Sequence, residues 1–505
     1  MRILLVADGR QRAYIYDQQI SVGAFLEQAG ITLGELDRIV PPSNTQLRDG
    51  MTVTVVRVSE QTVCQQTPIP YQKRTIPNEG LAPGEERLAQ PGVNGIEEVC
   101  HRITYEDGQE TQRVEIQRVV VEVPQDEIVF VGLDTSQLET VPVEGTLMYV
   151  SNGNVWMIRG SSATKRPVTS SGQVDGRVFS LSSDGSQLLF TQRYDGATDA
   201  DLYFNTLWVI LDTRASEPQP QEISLLRNIL YAEWIPGQPY TFSYSTAEAR
   251  SAAPGWQAFN DLWSMRLDDE GAVPIKVDNL VESSAGGVYG WWGTTYRWAP
   301  DGSALAWTRA DGVGLVDLET GTFTTLLDFP VYTTFQDWVW QPAVSWSPDS
   351  LMLATTVHGP PFGAEQPENS PIFNVAVTTV SSTGSFRADI VERAGIWASP
   401  KFSPFLESQG EFPQAYLAYL RARNPLNSVN DQYDLVVADR DGSNARVIFP
   451  ASGQPGLTAQ DVVWSPSGRQ IALIYQGNLW IVDVKSGRAQ QITIDGGASS
   501  PQWAS

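Results

Sequence analysis

The sequence predicts a mainly β protein whose residues 146–505 close into a seven-bladed β-propeller, with six blades as the alternative count. Three observations carry this. A unit built from an aromatic residue, a Pro or Ser, a polar turn and a short apolar strand recurs along the chain. Its copies are FSLSSDGSQLLFTQ from Phe179, EWIPGQPYTFSY from Glu233, RWAPDGSALAWTR from Arg297, SWSPDSLMLATTV from Ser345, KFSPFLESQGEFPQAYLAYL from Lys401 and VWSPSGRQIALIY from Val463. Several are followed by an apolar strand and an Asp-x-x-x-Gly turn, as in GVGLVDLETG from Gly312 and NLWIVDVKSG from Asn478. The third observation lies at the ends: SPQWAS opens a further copy and stops, while TLMYVSNGNVWMIRG supplies the strands that should follow such an opening.

A period of roughly 40 to 60 residues marks strand–turn–strand units that bury their apolar faces only against neighbours, and four strands per unit make a propeller blade. In Ser-Pro-Asp-Gly the Pro fixes φ and the Gly accepts a positive φ, so the motif reads as hairpin punctuation, structural in role. Building one blade from both termini of the domain removes two open sheet edges. The copies resemble TolB-type propeller repeats, whose members often have six blades, so the count of seven rests on this chain's own repeats.

Residues 1–58 read as a β-β-α-β unit. MRILLVADG and RAYIYD are two short strands around the turn Asp8-Gly9. In SVGAFLEQAGI, Ser21 is the N-cap, and Val22, Phe25, Leu26 and Ala29 fall on one helical face before Gly30 stops the helix. The alternation of MTVTVVRV gives the last strand. The stretch from Ser21 to Val58 resembles the small ubiquitin-like repeat that precedes the G-five domain in resuscitation-promoting factors and related wall proteins. Residues 59–133 resemble the G-five domain itself, from TPIPYQKRTIPNEG to QDEIVFVG. Read without any family, runs such as ETQRVEIQRVVVEV are long strands polar on both faces, which predicts a flat, elongated sheet without a thick core. DTSQLETVPVEG, residues 134–145, carries turn formers and no periodicity and reads as a linker.

At 505 residues, with 41% hydrophobic and 18% charged residues, 42 Gly and 32 Pro, the composition is that of a folded, turn-rich, multidomain chain. The net charge of -24 leaves no basic field for phosphates, which argues against nucleic acid as a partner. The apolar start from Ile3 to Ala7 is too short for a signal core, and no stretch is long enough to span a bilayer. The expectation is a soluble chain whose export signal or anchor, if the native protein has one, lies upstream of Met1. Cys64 and Cys100 are the only cysteines, which excludes a cysteine-ligated cluster and leaves open whether the two are bridged.

Catalytic patterns are absent. His101 and His358 fall in different predicted domains, and the chain has no Gly-x-Ser-x-Gly elbow, P-loop, dinucleotide fingerprint or His-Glu-x-x-His helix. No organic cofactor is expected. The run DGATDAD offers Asp195, Asp199 and Asp201 as oxygen ligands for Ca²⁺, without a fixed spacing. More suggestive are two aromatic insertions ahead of repeats. YGWWGTTYRW holds Tyr289, Trp291, Trp292 and Tyr296; FQDWVWQP holds Phe335, Trp338 and Trp340. Such side chains either stack on a partner at one rim or fill the space between blades.

These readings combine into a non-enzymatic, extracellular cell-surface or cell-wall protein. The resemblance of the N-terminal half implies adhesion and contact with N-acetylglucosamine-containing wall glycan, while the propeller binds a protein or glycan partner. The competing expectation is a propeller enzyme that acts on glycan or peptide from a carboxylate-lined axial pocket.

Overall fold

The computed structural model describes residues 1–194, 203–380, 385–406 and 413–505. The chain divides into two compact units, residues 1–74 with 90–128, and residues 75–89 with 129–505.

In the first unit, Arg2–Ala7 and Arg10–Ile15 pair as the Asp8-Gly9 turn predicts, and Arg2–Ala7 also pairs in parallel with Thr52–Val56. The short strand Arg38–Val40, which has no alternation long enough to be read from sequence, completes the sheet. The helix Val22–Gln28 begins where Ser21 Oγ accepts the Ala24 N–H at 3.3 Å, and it buries Val22, Phe25 and Leu26 against Ile3, Leu5, Val53 and Val55. Tyr14 and Tyr16 meet the Phe25 ring edge-on at 5.4 and 5.3 Å. Next in the chain are three long antiparallel strands, Val58–Ile69, Gly95–Glu106 and Gln109–Glu122, with Gly95–Glu106 in the middle. Gln109–Glu122 is exposed along its whole length, as a sheet polar on both faces must be. Register places Cys64 opposite Cys100, and the two form a disulfide.

Among the described residues, the second unit contains seven successive four-stranded antiparallel sheets, the third with one extra strand. They are formed by residues 142–167 with 498–504, then by 174–227, 229–281, 295–328, 344–391, 401–449 and 463–491. Ala498–Ala504 lies beside Pro142–Ser151, with Trp503 opposite Leu147, so the first sheet is assembled from both ends of the propeller. Leu147, Tyr149 and Trp156 of that sheet share a core with Leu479, Ile481 and Ile492 of the last one.

At several joints the recurring aromatic ties its blade to the one before it. Trp234 Nε1 donates to the Ser180 carbonyl at 3.1 Å, Trp346 Nε1 to the Arg297 carbonyl at 3.0 Å and Trp464 Nε1 to the Lys401 carbonyl at 3.0 Å. Where the repeat has Phe402, which has no indole donor, the Phe402 backbone N–H donates to Ser345 Oγ at 3.0 Å. The turn glycine serves the same joints: Gly302, at φ +74, would place a Cβ 2.5 Å from the Pro236 carbonyl oxygen of the preceding turn. In the fifth blade Ser350 stands at the glycine position and adopts φ +59.

The expected boundaries need amending at the start of the propeller. Strand Pro142–Ser151 begins inside the stretch read as a linker, and residues 75–89 and 129–133 belong to the propeller's unit. The cause is a buried ion pair. Glu79 and Lys165, with 4% and 5% of their side chains exposed, meet at 2.7 Å, and Glu79 also accepts the backbone N–H groups of Ile494 and Asp495. Phe130 meets Trp156 at 6.2 Å, and Glu139 accepts hydrogen bonds from Arg488 and Gln490. A short glutamate in a polar sequence gives no advance sign of such a partner 86 residues away.

A chain ending at Gly497 loses the strand paired with Pro142–Ser151, and its propeller should melt at least about 5 °C below the full chain. Calorimetry on both forms checks this; equal midpoints would show that closure does not depend on the terminal strand.

Candidate functional site

The insertion ahead of the fourth blade makes a 3₁₀ turn at Gly290–Trp292. Only glycine fits at its start, since a Cβ on Gly290 would lie 1.8 Å from the Ala285 carbonyl oxygen, and Asn260 Nδ2 holds the turn by donating to the Gly290 carbonyl at 2.9 Å. Tyr289 before it and Phe335 in the second insertion both take left-handed backbone conformations, φ +55 and +54. For bulky side chains this costs on the order of 1–3 kcal/mol each and is characteristic of functional surfaces.

Five of the seven insertion aromatics converge. Tyr289, Trp291, Trp292, Phe335 and Trp338 line one groove of about 390 Å³, together with Ala253 and Tyr332. Trp291 is 45% exposed and Phe335 81%. Tyr289 meets Trp291 edge-on at 5.4 Å, Trp292 meets Trp256 at 5.5 Å, and Trp338 leans on Trp397 at 5.5 Å while its Nε1 donates to Gln336. The other two aromatics are interior and do not belong to the rim patch. Tyr296 is 1% exposed because the alternation of strand Thr295–Trp298 turns it inward against Tyr231. Trp340, 2% exposed, packs on Phe329 and Phe373 and donates Nε1 to the Ile396 carbonyl at 3.2 Å.

A second candidate lies at the propeller axis, in a cavity of about 1170 Å³ bordered by the first four blades. Sequence reasoning missed Glu233 and Arg297 on its wall, yet the signal was there: these two, like Lys401 of the sixth blade beyond the cavity, each precede the repeat aromatic, and the period-two alternation of a strand turns them to the opposite face. Arg297 Nη1 meets Glu233 Oε1 at 2.6 Å, and Glu233 also accepts from Tyr231 Oη and the Trp298 N–H. Glu233 holds Arg297 above the usual arginine range against the effect of burial, and Asp461 contributes in the same sense. Towards the sixth and seventh blades, Lys401 Nζ meets Asp461 at 3.0 Å and Ser399 Oγ donates to the same carboxylate. Lys401 and Ser399, which contact it, and Arg297 hold the Asp461 carboxyl below the usual carboxylate range. Glu233 and Asp461 are thus each paired with a cation.

His358 is buried at the end of strand Met352–His358, where Nδ1 lies 2.7 Å from the Pro330 carbonyl oxygen and Nε2 2.9 Å from that of Ser370. With both ring nitrogens engaged, it holds the second aromatic insertion in place. His101 sits within strand Gly95–Glu106. Asp195, Asp199 and Asp201, the candidate Ca²⁺ ligands, lie outside the described residues. Among the described residues no helix is long and apolar enough to cross a membrane.

Comparison with known proteins agrees with the N-terminal reading. The G5-linked ubiquitin-like domain family matches residues 4–44, the G5 domain family residues 60–133, and the dipeptidyl peptidase IV N-terminal region residues 428–502. The chain carries a G5-linked ubiquitin-like domain and a G5 domain ahead of its propeller. It is 26% identical over 151 residues to resuscitation-promoting factor RpfB of Mycolicibacterium smegmatis, covering 30% of this chain and 40% of that protein. To resuscitation-promoting factor Rpf2 of Corynebacterium glutamicum it is 25% identical over 120 residues, covering 24% and 32%. The chain thus spans less than half the length of either relative. Among solved structures, the periplasmic gluconolactonase PpgL of Pseudomonas aeruginosa is 13% identical with a TM-score of 0.44, over 71% of this chain and 99% of that one. An IgA1 protease G5 domain is 25% identical with a TM-score of 0.13, over 15% and 90%. At such scores the propeller rests on its seven sheets and not on these likenesses.

Two outcomes follow. Trp340→Ala should cost about 3–5 kcal/mol of stability and Trp291→Ala no more than about 0.5, as denaturant titration would show. The Asp461 carboxylate, with its folded pKa depressed, contributes stability above about pH 4 that is lost as the pH falls through the depressed value. Asp461→Asn should therefore melt lower than the wild type at neutral pH, and the gap should close below about pH 4; melting midpoints across this range are the measurement.

Proposed function

We propose that this is a non-enzymatic, extracellular, cell-wall-associated binding protein: its ubiquitin-like and G5 modules contact wall glycan, and its propeller takes sugar rings of the same polymer in the aromatic groove. The observation that carries the reading is the convergence of Tyr289, Trp291, Trp292, Phe335 and Trp338 on one groove, with Trp291 and Phe335 left open to solvent. Flat indole and phenyl faces stack on the apolar faces of pyranose rings, and their rigidity keeps the entropy cost of binding low. Two strained aromatic backbones at the same groove fit a surface selected for binding over stability.

The domain content supports the wall assignment. Both relatives bear the name resuscitation-promoting factor, and two modules matched here belong to families named for the G5 domain and its linked ubiquitin-like partner. An acidic chain with a net charge of -24 stays soluble beside a polyanionic wall and gains little from nonspecific charge attraction, so recognition falls to shape and stacking. Against catalysis weigh the ion pairs at the axis, because a glycosidase of the usual kind needs one carboxyl group protonated and one free.

Titration of tryptophan fluorescence with an N-acetylglucosamine tetramer tests the groove. The Trp291→Ala/Phe335→Ala/Trp338→Ala protein, checked for folding by circular dichroism, should bind about thirty-fold more weakly than the wild type. Equal affinity would remove the groove from function. Chain shortening of the tetramer that disappears in Glu233→Gln or Asp461→Asn would replace the binding reading with the enzymatic one.

A further inference from the structure

The axial cavity sets carboxylates that are already engaged beside arginines that are not. Of its acidic residues, Asp175 accepts from Thr191 Oγ1 and the Arg177 N–H, Asp184 from Ser182 and Ser186, and Glu233 from Tyr231, Arg297 and Trp298. Its arginines differ. Arg297 is paired with Glu233, but the guanidinium groups of Arg177 and Arg193 make no hydrogen bond or ion pair among the described residues. In a chain with 58 acidic and 34 basic side chains, a basic group facing a cavity ordinarily finds a carboxylate; among the described residues these two do not.

Both lie at the same end of the second blade. Pairing of Val174 with Gln192 sets the register there, and the strands part between Val174 and Phe179, which frees Arg177 to turn into the cavity. Its guanidinium carbon stands 4.2 Å from the Trp256 ring centroid and 5.5 Å from that of Phe204. Stacking on an indole holds a guanidinium by its face and leaves its donor edge unspent.

We propose that this cavity is a second binding site, distinct from the aromatic groove, for a carboxylate-bearing carbohydrate. Two planar donor forks match carboxylate oxygens in a way that a single lysine would not. The volume of about 1170 Å³ exceeds what one small anion fills, and the remaining walls offer Ser180, Gln187, Thr295 and Gln502, hydroxyl and amide groups suited to a hydroxyl-rich chain. A carbohydrate that carries acid groups at intervals uses both features at once, the forks for its carboxylates and the polar wall for its ring hydroxyls.

Isothermal titration of the full chain with trigalacturonate, maltotriose and tri-aspartate tests this. Trigalacturonate should bind saturably and more weakly as salt is raised, and maltotriose should not bind. Arg177→Gln and Arg193→Gln should each weaken trigalacturonate about ten-fold with unchanged circular dichroism, and Arg177→Lys should lose nearly as much because the fork is gone. Equal binding of maltotriose, tighter binding of tri-aspartate, no saturable binding at all, or full affinity in both glutamine variants would overturn the proposal. The groove is read separately with the neutral N-acetylglucosamine tetramer, so failure of one site is told from failure of the other.

Discussion

The packing of each blade against its neighbour is the constraint on which the propeller depends, and at three joints an indole-to-carbonyl hydrogen bond fixes that packing. A four-stranded sheet cannot bury both faces by itself, so each blade is stable only when its neighbour sits at a fixed angle and distance. The tryptophans at 234, 346 and 464 supply apolar bulk between sheets and, through Nε1, a directional bond to a backbone carbonyl of the preceding blade. Bulk alone would let blades slide; the bond fixes where they stop. Strand alternation then faces the residue before each of these aromatics to the axis, so the device that spaces the blades also decides which side chains line the channel.

This coupling explains what could and could not be read from the sequence. Repeats, turns and the shared closing blade were legible because they are local: an aromatic, a proline and a turn residue within a few positions. The N-terminal strands and helix were legible for the same reason, with Ser21 and Gly30 at the helix ends. Arg38–Val40 was not, since three residues carry no period, and neither was the role of Glu79, whose partner Lys165 is distant in sequence and whose burial comes only from assembly.

The candidate sites show the same division. Proximity in sequence grouped Tyr289, Trp291 and Trp292, and the two insertions meet at one groove. It wrongly kept Tyr296 and Trp340 with them, because one residue of strand phase separates a side chain at a rim from one in the core, and composition does not record phase. The axial charges went unread because Glu233, Arg297, Lys401 and Asp461 lie far apart in the chain and meet only once the ring exists.

The anchoring of Glu79 also bears on mechanics. Tension applied to the chain ahead of Thr75 passes into residues that Glu79 ties to Lys165 and to the backbone at Ile494 and Asp495, just before the strand that closes the ring. Load therefore arrives at the seam, the one blade whose strands come from opposite ends of the propeller and are held there by noncovalent bonds alone. Tension that enters from the N-terminal side therefore meets the Glu79–Lys165 pair on its way to the seam.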